Sequence, residues 1–173
     1  MRLKIVFLLI IITLLVFTGC TKEEAEPAKE TPSPTTEVKS QQVSPPGIGI
    51  NKGDSTTAVI LDTHCWEENC SLTPDPPDEL LLGETPLHVK PGDELELSVS
   101  TSETPVSDEI YSPAINIVQV SPRGEKETDV NFEDRYLTAP TEEGKYYYNI
   151  TTEWDGELIG KAIYAFAILV REE

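Results

Sequence analysis

Between Lys145 and Trp154 the chain alternates without interruption. Tyr146, Tyr148, Ile150, Thr152 and Trp154 fall on one side, and Tyr147, Asn149, Thr151 and Glu153 on the other. A period of two residues sustained over this length specifies a strand and is incompatible with a helical face. Asp155-Gly156 then begins a turn, and Lys161 to Arg171 is apolar nearly throughout, as a central strand buried on both faces would be. The end of the chain is therefore β, and whatever precedes it must cover these two strands.

Upstream, short strand signals recur between turn signals. Thr57 to Leu61 is apolar and partly β-branched, and Leu87 to Lys90 leads into the turn Pro91-Gly92-Asp93. Glu94 to Val99 alternates strictly, with Leu95, Leu97 and Val99 on one face. Ala114 to Val120 is another strand, ended by Ser121-Pro122-Arg123-Gly124, and Glu127 to Phe132 and Arg135 to Thr138 read as shorter ones. Pro77 to Leu82 is the one helical segment, of at most two turns. Seven or eight short strands at this spacing predict an all-β, immunoglobulin-like β-sandwich. Glu142-Glu143-Gly144-Lys145-Tyr146 resembles the acid-x-Gly-x-Tyr signature of the tyrosine corner, which implies that the Tyr146 hydroxyl bonds backbone where a late strand begins. Tyr148 stands where such domains carry the second cysteine, so the usual inter-sheet disulfide is absent.

The other end obeys different physics. Arg2 and Lys4 precede an apolar run from Ile5 to Phe17 in which Thr13 is the only polar residue, and Thr18, Gly19 and Cys20 follow. A basic start, a short apolar stretch and small residues match an export signal, and the run falls short of the ~20 apolar residues a membrane-crossing helix needs. Val16 to Cys20 resembles the bacterial lipobox, with Phe17 in the place usually held by Leu. The resemblance implies cleavage between Gly19 and Cys20, a thioether-linked lipid on Cys20, and hence a lipid-anchored protein on the outer face of the cell membrane. The expected organisation is a signal peptide at 1–19, a lipidated Cys20 with a disordered tether through residue 47, and one sandwich over 48–173. From Thr21 to Gly47 there are five Pro, five Glu and four Thr with no aromatic residue, too little apolar surface to offset chain entropy. As a flexible coil that tether spans about 29 Å.

The chain carries 13 Lys plus Arg against 31 Asp plus Glu, net −18. Residues 48–173 hold 26 of the acids and 8 of the bases, so the whole imbalance sits on the sandwich. Such a surface excludes electrostatic binding to nucleic acid.

Few residues carry chemistry. After export the compartment is oxidising, and once Cys20 is lipidated only Cys65 and Cys70 remain, so a local structural disulfide is expected. Four residues separate them, instead of the two of thioredoxin-like redox sites. A redox or enzyme-accessory role for the pair is the alternative. Zinc would require His64, Cys65 and Cys70 plus a distant His88 or a carboxylate. Gly53-Asp54-Ser55-Thr56 is similar to the nucleophile block of one hydrolase class but lacks the late Asp-x-x-His, and Gly156 to Lys161 has the wrong spacing for a phosphate loop. Asp129, Glu133, Asp134, Glu142 and Glu143 lack the spacing of a calcium loop and read as a solvated acidic face. No metal, cofactor or catalytic activity is expected.

Thr63-His64-Cys65-Trp66 with Cys70, the Val89 to Asp93 turn, and the stretch from Phe132 through Gly144 and Tyr146-Tyr147-Tyr148 to Phe166 together resemble an uncharacterised family of cell-surface lipoproteins of Bacillota. The resemblance implies an immunoglobulin-like domain at the envelope and no particular activity. A non-catalytic binding domain with an envelope or extracellular partner is the expected function. The docking candidate is the Cys65–Cys70 loop, with Trp66 as anchor and Glu67 and Glu68 as a rim suited to a basic partner. The competing placement has Trp66 folded back over the core as a plug.

Overall fold

The computed structural model describes residues 44–57, 59–121 and 126–172. The expected signal peptide, Cys20 and most of the tether lie outside these residues. The described part is an all-β sandwich of two sheets. Its strands are β1 (Gly47–Lys52), β2 (Ser55–Thr57), β3 (Ile60–Cys65), β4 (Leu87–Val89), β5 (Glu94–Ser100), β6 (Ala114–Val120), β7 (Glu127–Asp129), β8 (Phe132–Glu133), β9 (Tyr136–Thr138), β10 (Gly144–Asp155) and β11 (Ile159–Val170). One sheet has the order β2-β1-β5-β9-β8 and the other β3-β11-β10-β6-β7, with β4 also on β11. Neighbours run antiparallel except β4 and β11, which are parallel. With β5, β6, β9, β10 and β11 in the places of strands B, C, E, F and G, this is immunoglobulin-like connectivity.

Eleven strands are present where seven or eight were expected, and the excess has local causes. The segment expected as one strand at Thr57 to Leu61 divides into β2 and β3, which belong to different sheets. Glu127 to Phe132 likewise divides, β7 staying with β6 while β8 joins β9. The first strand, β1, was not anticipated: Gly47 was assigned to the tether and no strand was expected before Thr57. Its Ile48 and Ile50 nevertheless point into the core. Residues assigned to the tether also belong to the fold: Pro46 is buried, and its carbonyl accepts the Tyr164 hydroxyl at 2.8 Å. The helical segment is α1 (Pro77–Leu80), a single turn.

Strict alternation explains the core. Leu95 and Leu97 of β5 and Leu137 of β9 face Ile117 of β6, Tyr148 and Ile150 of β10, and Phe166 and Ile168 of β11. Tyr148 stacks on Phe166, its direct cross-strand partner, with ring centroids 4.8 Å apart. Burial pushes the phenols of Tyr148 and Tyr164 up, so both stay neutral. β11 is apolar on both sides because its outer face is also covered: Ala165 and Ala167 pack with Leu81, just after α1.

Two polar ties hold the lower end. In the Pro91-Gly92-Asp93 turn, Gly92 takes φ +75°, and the Asp93 carboxylate accepts the Lys90 N–H at 2.6 Å and pairs with Lys52. Chiefly that Lys52 contact holds the Asp93 carboxyl below its ordinary value. The Tyr146 hydroxyl donates to the Glu142 carbonyl at 2.9 Å across Gly144. Tyr146→Phe should therefore lower unfolding stability by about 1 kcal/mol, read by urea titration. An unchanged midpoint would remove that bond from the account of the fold.

Candidate functional site

β3 ends at Cys65, which pairs in register with Lys161 of β11, and the chain then turns back through Asn69, whose φ of 63° is one that Asn tolerates. The turn returns Cys70 to disulfide distance of Cys65, with a Cα–Cα separation of 6.1 Å. It closes a loop of four residues beside the β10–β11 hairpin.

The structure divides the three residues expected to act together. Trp66 lies against the core, tilted onto Trp154 with ring centroids 5.0 Å apart. Gly160, opposite Trp154 on β11, makes room for it: a Cβ there would collide with the Trp66 ring and come within 2.8 Å of the Cys65 carbonyl. Trp154 Nε1 donates to the Ile110 carbonyl at 3.4 Å, whereas the buried Trp66 Nε1 has no partner. Glu67 and Glu68 are exposed and line an open hollow of about 500 Å³ with Glu153, Asp155 and Lys161. Lys161 pairs with Glu153, so Glu67, Glu68 and Asp155 leave the hollow negative.

The other chemistry-bearing residues are dispersed. His64 registers with Ala162 and His88 with Leu169, seven positions apart on β11 or about 23 Å, too far to share a metal. The His88 ring nitrogen instead contacts Arg171 at 2.8 Å. Among the described residues no three His, Cys, Asp or Glu side chains group closely enough to hold a metal. Gly53 and Asp54 form the β1–β2 turn, and Gly156 belongs to the β10–β11 turn, where the Glu109 carboxylate accepts the Leu158 N–H at 2.7 Å. No helix follows Cys70 until Pro77, so no helix dipole acts on its sulfur.

A second feature escaped sequence reasoning. After Cys70 the chain crosses the outer face of the β10 sheet, tied to β3 where the Asp62 carboxylate accepts the Asp75 N–H at 2.9 Å. Between this segment and the sheet lies a cleft of about 340 Å³, walled by Leu72 and Pro74 and floored by Val118, Asn149, Thr151 and Ile163. Asn149 is only 5% exposed. Its signal in the sequence was an amide in the middle of the strongest strand pattern, which alternation alone assigns to solvent.

No protein-family model, curated protein or solved structure matches this chain.

Two outcomes follow from this geometry. Trp66→Ala should cost about 3 kcal/mol or more, because it removes a ring packed on the core, whereas Trp66→Phe should cost about 1 kcal/mol, since the indole N–H has no partner to lose. Equal destabilisation by Ala and Phe would contradict the packing. For Asp62, burial raises the carboxyl pKa, partly opposed by the Asp75 N–H and reinforced by the Asp75 charge. A raised folded pKa favours the fold below the ordinary value and withdraws that contribution as pH rises through the folded value. Asp62→Asn keeps the acceptor and should raise stability at pH 7 by at most about 1 kcal/mol, the gain shrinking toward pH ~4.

Proposed function

We propose that this protein is a lipid-anchored lipoprotein on the outer face of the cell membrane whose immunoglobulin-like sandwich is a non-catalytic binding module. The observation that carries the reading is the N-terminal sequence: Arg2 and Lys4, the apolar run from Ile5 to Phe17, and Thr18-Gly19-Cys20, followed by a spacer almost free of apolar side chains. A bilayer holds two acyl chains stably and one only marginally, so a thioether-linked diacylglycerol on Cys20, which carries two chains, suffices as the anchor. The resemblance to Bacillota surface lipoproteins points the same way.

Binding is favoured over catalysis by the way the reactive side chains are spread across the sandwich, with the histidines on separate stretches of β11's edge and the carboxylates scattered over loops, turns and strands. The alternative, a redox or accessory role for Cys65 and Cys70, has less support. The pair closes a loop under which Trp66 is packed, as a structural staple would. The negative hollow beside Glu67 and Glu68 suits a basic partner surface, with its effect mainly on association rate.

Mass spectrometry of the protein from native membranes should find an N-terminal lipopeptide beginning at Cys20, and Cys20→Ser should release the chain from the membrane fraction. A mature protein that begins elsewhere and partitions into buffer would overturn the reading.

A further inference from the structure

Asn149 is nearly buried although alternation assigns its position to the outward face of the sheet. It lies on the outer face of β10, between Val118 of β6 and Ala165 of β11 in the hydrogen-bonded register, and it is 5% exposed. Asn is a poor strand former, and its carboxamide has no partner within the described protein while its polar atoms still reach solvent through the cleft. None of the described residues bonds the Asn149 side chain, which lines the cleft beneath Leu72 and Pro74. Its Oδ1 and Nδ2 therefore offer an unused acceptor and an unused donor to whatever enters.

The surroundings restrict the occupant. At about 340 Å³ the cleft is near the lower end of small-ligand sites. Its floor and walls are apolar or uncharged around the amide. Of its two charged margins, Lys161 is paired with Glu153, leaving Glu127 as the unneutralised one, which disfavours an anion. None of the lining residues is aromatic, so a flat ring has nothing to stack on. The polar groups also have a direction. Asn149 and Thr151 share one face of β10 two residues apart, about 6.8 Å, and Asn116 lies directly across from Thr151. An extended peptide repeats its like-facing amides at that same two-residue pitch.

We infer that this cleft binds a short, uncharged, extended peptide segment of a partner protein. A peptide N–H and C=O pair with the Asn149 carboxamide, the next like-facing amide meets Thr151 and Asn116, and an apolar side chain between them rests on Leu72, Pro74 and Ile163. The inference rests on the binding-module reading and names the chemistry of its partner. It involves the outer face of the sheet, not the acidic hollow beside Glu67 and Glu68.

The test is a titration of the isotope-labelled full chain in lipid nanodiscs with acetyl-Ala-Leu-Ala-amide, followed by NMR. Saturable shifts are expected in the Asn149 side-chain amide and in Thr151, with Asn149→Val weakening binding about tenfold or more. Asn149→Val should not lower the melting temperature, because no internal bond is lost. Leu72→Asp, which spoils the wall without touching the sheet, should also abolish the shifts, and it decides the matter if Asn149→Val fails to fold. Absence of shifts at about 10 mM peptide, undiminished binding by both variants, or equal saturation by acetamide or N-acetylglucosamine would overturn the inference. A missing lipid on Cys20 would leave this titration unchanged, so failure of the anchor and failure of the cleft are separable.

Discussion

Twelve consecutive residue pairs join β10 to β11, from Gly144 against Val170 to Asp155 against Ile159, and every other part of the second sheet is hung on that ladder. β6 occupies the free side of β10, while β3 and β4 share the free side of β11. Because side chains alternate across a strand, this register settles which residues meet in the core and which face outward. It stacks Tyr148 on Phe166 inside, and it places Asn149 beside Ala165 outside. A slip of one residue would exchange the two faces, burying Glu153 and Lys145 and exposing Trp154.

The same ladder positions the loop at its upper end. Trp154 stands opposite Gly160, so the hairpin presents a ring beside a gap, and Trp66 fills the gap. The Cys65–Cys70 pair keeps the chain on either side of Trp66 close to the hairpin, which lowers the entropy of the unfolded loop. From there the chain crosses the outer face of the sheet toward α1, so the outer cleft depends on the same closure. Across to the first sheet, the Tyr164 hydroxyl donates to the Pro46 carbonyl, tying the start of β1 to the middle of β11. A strand that arrives from a Pro-rich spacer is thus held by a phenol from the most buried strand of the fold.

The long strands were legible because alternation and apolar content left one solution each, and Lys145 to Trp154 shows this most plainly. β1 was not, because glycine is counted against a strand when only sequence is considered. In the fold, Gly49 pairs with Ser98 of β5, and a Cβ there would come within 2.7 Å of the Ser98 hydroxyl, which would have to turn away. The division of Thr57 to Leu61 was also hidden, since a chain that passes between sheets keeps its apolar pattern while changing partners. The Cys65–Cys70 proximity was readable from elimination and compartment. The place of Trp66 was not, because a lone Trp beside two acids fits both an exposed loop and a core plug, and only Gly160, ninety-four positions later, distinguishes them. Asn149 was hidden by the very pattern that revealed its strand: alternation assigns it an outward face, and cannot know that Leu72 and Pro74 return to cover it.

Charge and cover together separate two surfaces that a binding module would use differently. Glu67 and Glu68 of the disulfide loop and Asp155 at the end of β10 stay exposed around an open hollow. Hydrated charges act over about a Debye length, ~8 Å at physiological ionic strength, and mostly bias encounter and orientation. The cleft under Leu72 and Pro74 is nearly neutral, and on the inferred peptide binding its contacts would act mainly on how long a partner stays. Steering would then come from the loop acids and retention from the sheet face, two functions on separate surfaces of one scaffold whose register both depend on.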